Sequence, residues 1–152
     1  MNYWLMKSEP DAFSIDTLKQ KGKSDWDGVR NYQARNFMRD QMRLEDLAFF
    51  YHSSCEVPGI YGIMKVSEES HPDWTQFDKE SKYYDPKATR DKPIWYLVEV
   101  SFEEKLKKPI ALEELRGEKR LKNMRLLQRG NRLSILPVSG SEWNHIVGLA
   151  KR

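Results

Sequence analysis

The spacing of five short apolar runs is the feature that most limits how this chain can fold. Each run has the length and the β-prone composition of a strand. The runs cover residues 2–7, 47–53, 60–66, 95–102 and 133–138. Helical patterns fall between them irregularly, whereas a doubly wound parallel sheet needs regular alternation of strands and helices. The order therefore predicts an α+β fold, with a small curved or barrel sheet of about five to six strands and short flanking helices.

Five short helices are predicted from capping residues and apolar periodicity. Ser14 and Asn31 are placed to cap the first two. Ser139 and Glu142 have capping-box spacing and begin the last. The polar stretch over residues 67–93 predicts a functional loop, because loops of that length are uncommon in compact domains. The helices are expected over residues 15–21, 32–42, 112–116, 122–129 and 140–149.

Length and composition exclude several classes of protein. A chain of 152 residues fits one domain, here residues 1–152. It has no run of apolar residues long enough to cross a membrane. Its single cysteine excludes an internal disulfide, and its first residues lack the layout of a signal peptide. We therefore expect a cytoplasmic protein.

The charge is polarised along the chain, although the net charge is only +3. Seven basic residues and one acid lie between Arg116 and Arg132, whereas seven acids and four bases lie between Glu68 and Asp91. This pattern is typical of a protein that holds an anionic partner on one side. A solvated charged face would account for the same pattern.

No residue set for catalysis, metal or cofactor binding is evident. Residues 21–24 match the end of a phosphate-binding loop, but Thr17 replaces its first glycine. His52 and Cys55 are close, yet no third group is placed to orient them as a nucleophile pair. The three histidines lack metal-ligand spacing. We therefore predict no catalytic residue, no metal and no cofactor.

Several short motifs follow one another along nearly the whole chain. They occupy residues 3–10, 26–36, 50–53, 59–63, 83–87, 132–134, 137–138 and 142–143. Together they resemble the EVE domain family. The family tends to have Pro-Arg-Trp where this chain has Pro93-Ile94-Trp95, and Asn where it has Ser54. The differences leave the candidate site residues untouched.

The resemblance implies a single EVE domain with a PUA-like β-barrel and flanking helices. EVE domains resemble YTH domains, which hold a methylated adenine in an aromatic pocket. The implied function is non-catalytic reading of a modified, methylated nucleobase in DNA or RNA, single-stranded or with a flipped base. The alternatives are a binder of a free modified nucleoside, a nucleic-acid-modifying enzyme on the same barrel, and a protein-interaction module.

Recognition of a flipped base requires flat aromatic walls, polar groups for the base edge and cations for the phosphates. Trp26, at a predicted turn between two aspartates, is the main candidate wall, although packing in the core would equally account for it. Asn31 can read a base edge, but it would also serve as a plain helix cap. The predicted base pocket comprises Lys7, Ser8, Trp26, Asn31, Ser53, Tyr83, Tyr84 and Asp85. The predicted phosphate-binding residues are Arg30, Arg35, Arg39, Arg125 and Arg129.

Overall fold

Six strands form one mixed sheet in a computed structural model that describes residues 1–152. The order across the sheet is β2-β5-β4-β3-β1-β6. β1 runs parallel to β3, and every other neighbouring pair is antiparallel. The α+β class is confirmed, but the sheet stays open because β2 and β6 are its two edges. The strands are β1 Tyr3–Ser8, β2 Lys23–Asp25, β3 Leu47–His52, β4 Gly59–Pro72, β5 Tyr96–Ala111 and β6 Ile135–Val138.

Four α-helices flank the sheet, and their caps agree with the sequence. The Ser14 hydroxyl accepts a hydrogen bond from the Thr17 N–H at 3.1 Å, and the capping box of Ser139 and Glu142 is complete. These side chains satisfy N–H groups that have no partner within the helix. No helix is long and apolar enough to cross a membrane. The helices are α1 Ile15–Lys21, α2 Tyr32–Asn36, α3 Leu112–Arg116 and α4 Gly140–Ala150.

Two predicted helices differ from the structure. α2 gives way to a π-helical turn over Phe37–Gln41 instead of continuing as an α-helix to residue 42. The helix predicted over residues 122–129 is wrong, because this segment contains only a short 3-10 turn, Arg125–Leu127. Met124 is extended there, with ψ of 133°. Its side chain and that of Leu126 are both buried, a spacing of two that a helix does not provide.

Two strands are longer than expected. β4 continues to Pro72, into the stretch predicted to be loop, and β5 continues past residue 102 to Ala111. Their pairing contains several register shifts, which allow two such long strands to bend together. β2 was missed because it has only three residues, all polar.

The sheet separates two hydrophobic clusters, and the alternation of side chains in β1 shows how. Trp4 and Met6 join the cluster that also contains Trp26 and the helix α2 residue Ala34, whereas Leu5 joins the cluster beneath α4. Ala34, Met38 and Met42, spaced four residues apart, are all fully buried. The end of β1 therefore emerges beside the segment that follows β2.

Candidate functional site

A cavity of about 950 Å³ opens at the end of β1. We call it the β1 cavity. Five of the predicted site residues line it: Lys7, Ser8, Trp26, Arg30 and Tyr83. Its volume is at the upper end of the range of about 300–1,000 Å³ that is usual for ligand pockets.

Trp26 is both a core residue and part of the cavity lining. Its indole is only 6% exposed and meets the rings of Phe13 and Phe50 edge-on, with centroids 6.1 and 5.4 Å away. The indole N–H has no protein acceptor, and no fully buried side-chain nitrogen or oxygen lacks a partner. The N–H is therefore accessible, and Trp26 is one of the residues that line the cavity. Trp26 thus packs in the core and also borders the cavity, while its role as an aromatic wall for a base stays a prediction.

Tyr83, another residue that lines the cavity, packs against the backbone of Gly28. Gly28 has φ of +80°, and a Cβ there would lie 2.7 Å from carbon atoms of the Tyr83 ring. Only glycine combines this conformation with so close an approach. The ring position is thus fixed before any ligand arrives.

Arg30 fixes the same side chain from a second direction. The guanidinium lies between the rings of Tyr83 and Trp95, 5.4 and 5.3 Å from their centroids. All five of its N–H donors are used, on Asp73, Thr75 and the carbonyls of Val29 and Tyr83. No donor is left for a phosphate, so we correct the predicted role of Arg30 to one of positioning.

Asp73 connects this network to the loop, and it was not among the predicted site residues. Its carboxylate is fully buried. It accepts hydrogen bonds from the Gly28 N–H at 2.8 Å, from the Thr75 N–H at 2.8 Å and from Arg30 at 3.1 Å. We call Gly28, Arg30, Asp73 and Tyr83 the Arg30 wall.

A second group of residues in the cavity lining includes charged side chains without ionic partners. Lys7 makes no ion pair, and its ammonium lies 5.8 Å from the centroid of the Tyr51 ring. Burial lowers the pKa of Lys7. Asp27 makes no ion pair either, and desolvation, then the charges of Asp73 and Asp25, raise its pKa. We call Lys7, Ser8, Trp26 and Asp27 the Lys7 wall.

Ser8 contributes to the Lys7 wall as an acceptor. Its hydroxyl donates to the Phe13 carbonyl at 2.7 Å, which leaves only oxygen lone pairs for a ligand. The Lys7 wall thus offers two donors, from Lys7 and Trp26, and two acceptors, from Ser8 and Asp27.

Four residues of the predicted base pocket do not line the cavity. Asn31 caps α2, accepting from the Ala34 N–H at 2.9 Å. Asp85 accepts from the Trp95 indole at 2.8 Å, and this bond is the main reason that its pKa is lowered. Ser53 lies next to the wall, since its N–H donates to the Ser8 carbonyl at 2.9 Å. The fourth, Tyr84, is also absent from the lining.

The remaining predicted phosphate-binding arginines also lie outside the cavity lining. Arg35 donates to the Ile94 carbonyl at 2.8 Å, and Arg39 pairs with Asp40 at 2.8 Å. Arg125 and Arg129 are exposed and make no ion pair. Their roles in binding stay predictions.

Trp74 and Lys82 are cavity residues that sequence reasoning missed. Trp74 is 55% exposed, an unusual state for a tryptophan. The only signal in the sequence was a tryptophan between polar neighbours, Asp73 and Thr75.

A family model described as "EVE domain" matches residues 2–149. This chain belongs to the EVE domain family. The resemblance seen in the sequence is thereby confirmed. The EVE chain is 47% identical to Thymocyte nuclear protein 1 of Mus musculus over 167 residues, which cover 97% of this chain and 73% of the relative. Because that relative is named as a nuclear protein, the cytoplasmic location expected here stays a prediction.

Solved structures support the same membership. A crystal structure from Pseudomonas syringae is 48% identical, with a TM-score of 0.94, and the match covers 97% of this EVE chain and 99% of that chain. A crystal structure of human THYN1 protein in complex with 5-methylcytosine containing DNA is 43% identical, with a TM-score of 0.94. That match covers 100% of this chain and 99% of the human one.

Proposed function

We propose that this EVE domain binds nucleic acid by holding a modified nucleobase in the β1 cavity and leaves the base chemically unchanged. The first candidate is 5-methylcytosine in DNA, because the human relative was crystallised with DNA containing it. The observation that carries the proposal is the Lys7 wall, where donors and acceptors without ionic partners face one cavity.

The chemistry of the Lys7 wall suits a base with an exocyclic amine beside an acceptor. Cytosine has such an edge, since its N4 amine donates while its ring nitrogen and carbonyl accept. Ser8 and Asp27 can accept from the amine, and Lys7 can donate to the carbonyl. The Tyr83 ring supplies a flat surface for stacking.

The same residues favour binding over catalysis. No histidine or cysteine lines the cavity. His52, which precedes the predicted site residue Ser53, accepts a hydrogen bond from the Ile15 N–H at 3.1 Å. Its ring stacks on Tyr61, with the two centroids 3.9 Å apart. Its ring is thus committed to the start of α1. No group of His, Cys, Asp and Glu residues is arranged to hold a metal.

The basic segment from Arg116 to Arg132 offers a route for the phosphates. Its seven basic side chains are exposed and make no ion pair with an acid. The segment leads directly to Ser134, which lines the cavity and whose carbonyl accepts from the Lys7 N–H at 2.8 Å. A strand that leaves the cavity in this direction would meet Arg132 first.

The test is fluorescence anisotropy with paired oligonucleotides that contain one 5-methylcytosine or one cytosine. Each pair is measured as single strand and as duplex, in DNA and RNA, over a range of salt. We expect the modified strand to bind about 4- to 200-fold more tightly, the gain from burying one methyl group and filling its void. Three to five phosphate contacts predict a log–log salt slope of about −2 to −3.5 on single strands.

Two results would contradict the proposal. Equal affinity for every modified and plain pair would mean that the cavity does not read a base. A flat salt dependence, with tight binding of the free nucleoside, would assign the site to a nucleoside. Mass spectrometry of the recovered oligonucleotide checks the absence of catalysis, since any change that scales with protein would indicate an enzyme.

A further inference from the structure

We propose that the indole of Trp74 is a stacking platform for the nucleobase next to the captured one, so that the site takes at least a dinucleotide. The inference rests on the proposed function and names the ligand more closely. Five large apolar residues of this chain are exposed: Met1, Tyr32, Leu44, Val57 and Trp74. Trp74 alone among them lines the β1 cavity. Single exposed apolar residues are ordinary, but one that shares a cavity with unpartnered polar groups is not.

The backbone that carries Trp74 is rigidly held. Its neighbours Asp73 and Thr75 are buried and bonded to each other, the Asp73 carboxylate accepting from the Thr75 N–H at 2.8 Å. Gln76 is also fully buried, and its amide joins this turn to the backbone of Ile94 and Trp95. An exposed indole on a fixed backbone loses little entropy when a flat ligand stacks on it.

The two tryptophans of the cavity differ in what they can contact. Trp26 is 6% exposed and has little ring surface for a ligand, whereas Trp74 is 55% exposed and has room for a flat ligand to stack on its indole. Bases stack on ring faces regardless of sequence, because every base has a π-face. Trp74 therefore suits a neighbouring base of any identity, while the Lys7 wall selects the captured one.

Lys82 is placed to hold the phosphate between the two bases. It lines the same cavity, makes no ion pair, and its ammonium lies 5.1 Å from the centroid of the Tyr83 ring. Tyr83, Lys82 and Trp74 thus bring two aromatic rings and a cation to one cavity, the groups that a base, a phosphate and a second base require.

The experiment uses titration calorimetry with the nucleoside 5-methyl-2′-deoxycytidine and with two single-stranded dinucleotides. One dinucleotide carries a thymidine on the 5′ side of the modified nucleoside, and the other carries it on the 3′ side. We expect Trp74→Ala to weaken the dinucleotide that uses the platform by about 5- to 150-fold. Binding of the nucleoside should change less than twofold. Trp74→Phe should recover most of the loss, because it restores an aromatic face. Leu44→Ala, which trims a side chain of similar exposure away from the cavity, should match the wild type.

Lys82→Gln gives an independent readout. On a short single-stranded oligonucleotide it should reduce the salt slope by about 0.7, the value for one phosphate contact. An unchanged affinity of Trp74→Ala for both dinucleotides would overturn the platform while leaving the proposed function intact. An equal loss for nucleoside and dinucleotide would also overturn it, because Trp74 would then belong to the base pocket. If the wild type binds no modified ligand, the proposed function fails and the platform fails with it.

Discussion

The two walls of the β1 cavity contain similar residue types but use them in opposite ways. In the Arg30 wall every donor of the guanidinium is taken, and the Asp73 carboxylate is buried among hydrogen-bond donors. In the Lys7 wall, Lys7 and Asp27 have no ionic partner. Burial lowers the pKa of Lys7 and raises the pKa of Asp27, so it favours the neutral form of each. One wall is completed by the fold, and the other is left for a ligand.

This difference separates residues that shape a site from residues that use it. A charged group whose bonds are all internal stabilises the fold, and its removal leaves partners unsatisfied. A charged group that is half-buried and unpaired lowers stability slightly and is retained for another reason. Substitutions in the two walls should therefore change different measurements.

The largest effect is expected for Asp73→Ala. The substitution leaves the Gly28 N–H, the Thr75 N–H and one of the five N–H donors of Arg30 without an acceptor. We expect the free energy of unfolding to fall by about 3–5 kcal/mol, as for other broken buried pairs. Urea denaturation measures it, and the exposed Asp91→Ala should change it by less than about 0.5 kcal/mol. A small effect at Asp73 would mean that the Arg30 wall is not a structural unit.

Gly28→Ala should lower the free energy of unfolding by roughly 2–4 kcal/mol, through a left-handed alanine and a clash with Tyr83. Gly130→Ala is a matched control, since φ is +79° there and nothing lies within 4 Å of the new Cβ. It should cost only the conformational part, about 1–2 kcal/mol. In a double-mutant cycle, adding Tyr83→Ala should remove the excess seen at Gly28. Additive effects would show that the glycine does not support the ring.

Lys7→Met should weaken binding and leave stability nearly unchanged, the reverse of the substitutions in the Arg30 wall. We expect affinity for the modified oligonucleotide to fall by about 10- to 150-fold, the value of one charge-assisted hydrogen bond. The free energy of unfolding should stay within about 1 kcal/mol of the wild type or rise, because an unpaired half-buried cation is lost. Lys108→Met, an exposed control on β5, should leave affinity nearly unchanged. Instability of Lys7→Met would place Lys7 with the Arg30 wall instead.

The smallest effect concerns Asp27 and depends on pH. Because its pKa is raised in the folded protein, the native state binds a proton more tightly than the unfolded chain. Ionised Asp27 therefore destabilises the fold at neutral pH, and this cost disappears as pH falls through the raised pKa toward the ordinary value of 3.8. Asp27→Asn should thus be more stable than the wild type at pH 7 by less than about 1 kcal/mol, with the gap closing in acid. Urea midpoints across this range would refute the idea if the gap had the opposite sign.

The features predicted best from the sequence are those that depend on residues close together in the chain. The caps at Ser14, Asn31 and Ser139 bond to N–H groups only three residues away, so their spacing alone identifies them. β2 and the outer half of β4 were missed because their residues are mostly polar and only distant pairing makes them strands. Pairing partners that lie far apart along the chain leave no local pattern.

The same distinction explains the candidate site. Lys7 and Ser8 were found because they lie at the end of a strand, and Trp26 because it lies at a predicted turn between two aspartates. Between Tyr83 and Tyr84 the sequence could not choose, and the choice depends on contact with Gly28. Arg30 and Asp73 are also far apart in the chain. The sequence alone therefore does not show that they bond, or that Arg30 has no donor left for phosphate.

The position of β1 has a consequence for how the molecule is made. β1 lies inside the sheet between β3 and β6, and Tyr3 pairs with both Leu47 and Val138. As the chain leaves the ribosome, one edge of β1 stays open until β3 appears and the other until β6 does. Pairing across such sequence distances is slow, and an open edge invites association with other chains. The sheet around β1, and with it the cavity at the end of β1, is therefore completed only after β6 has been synthesised.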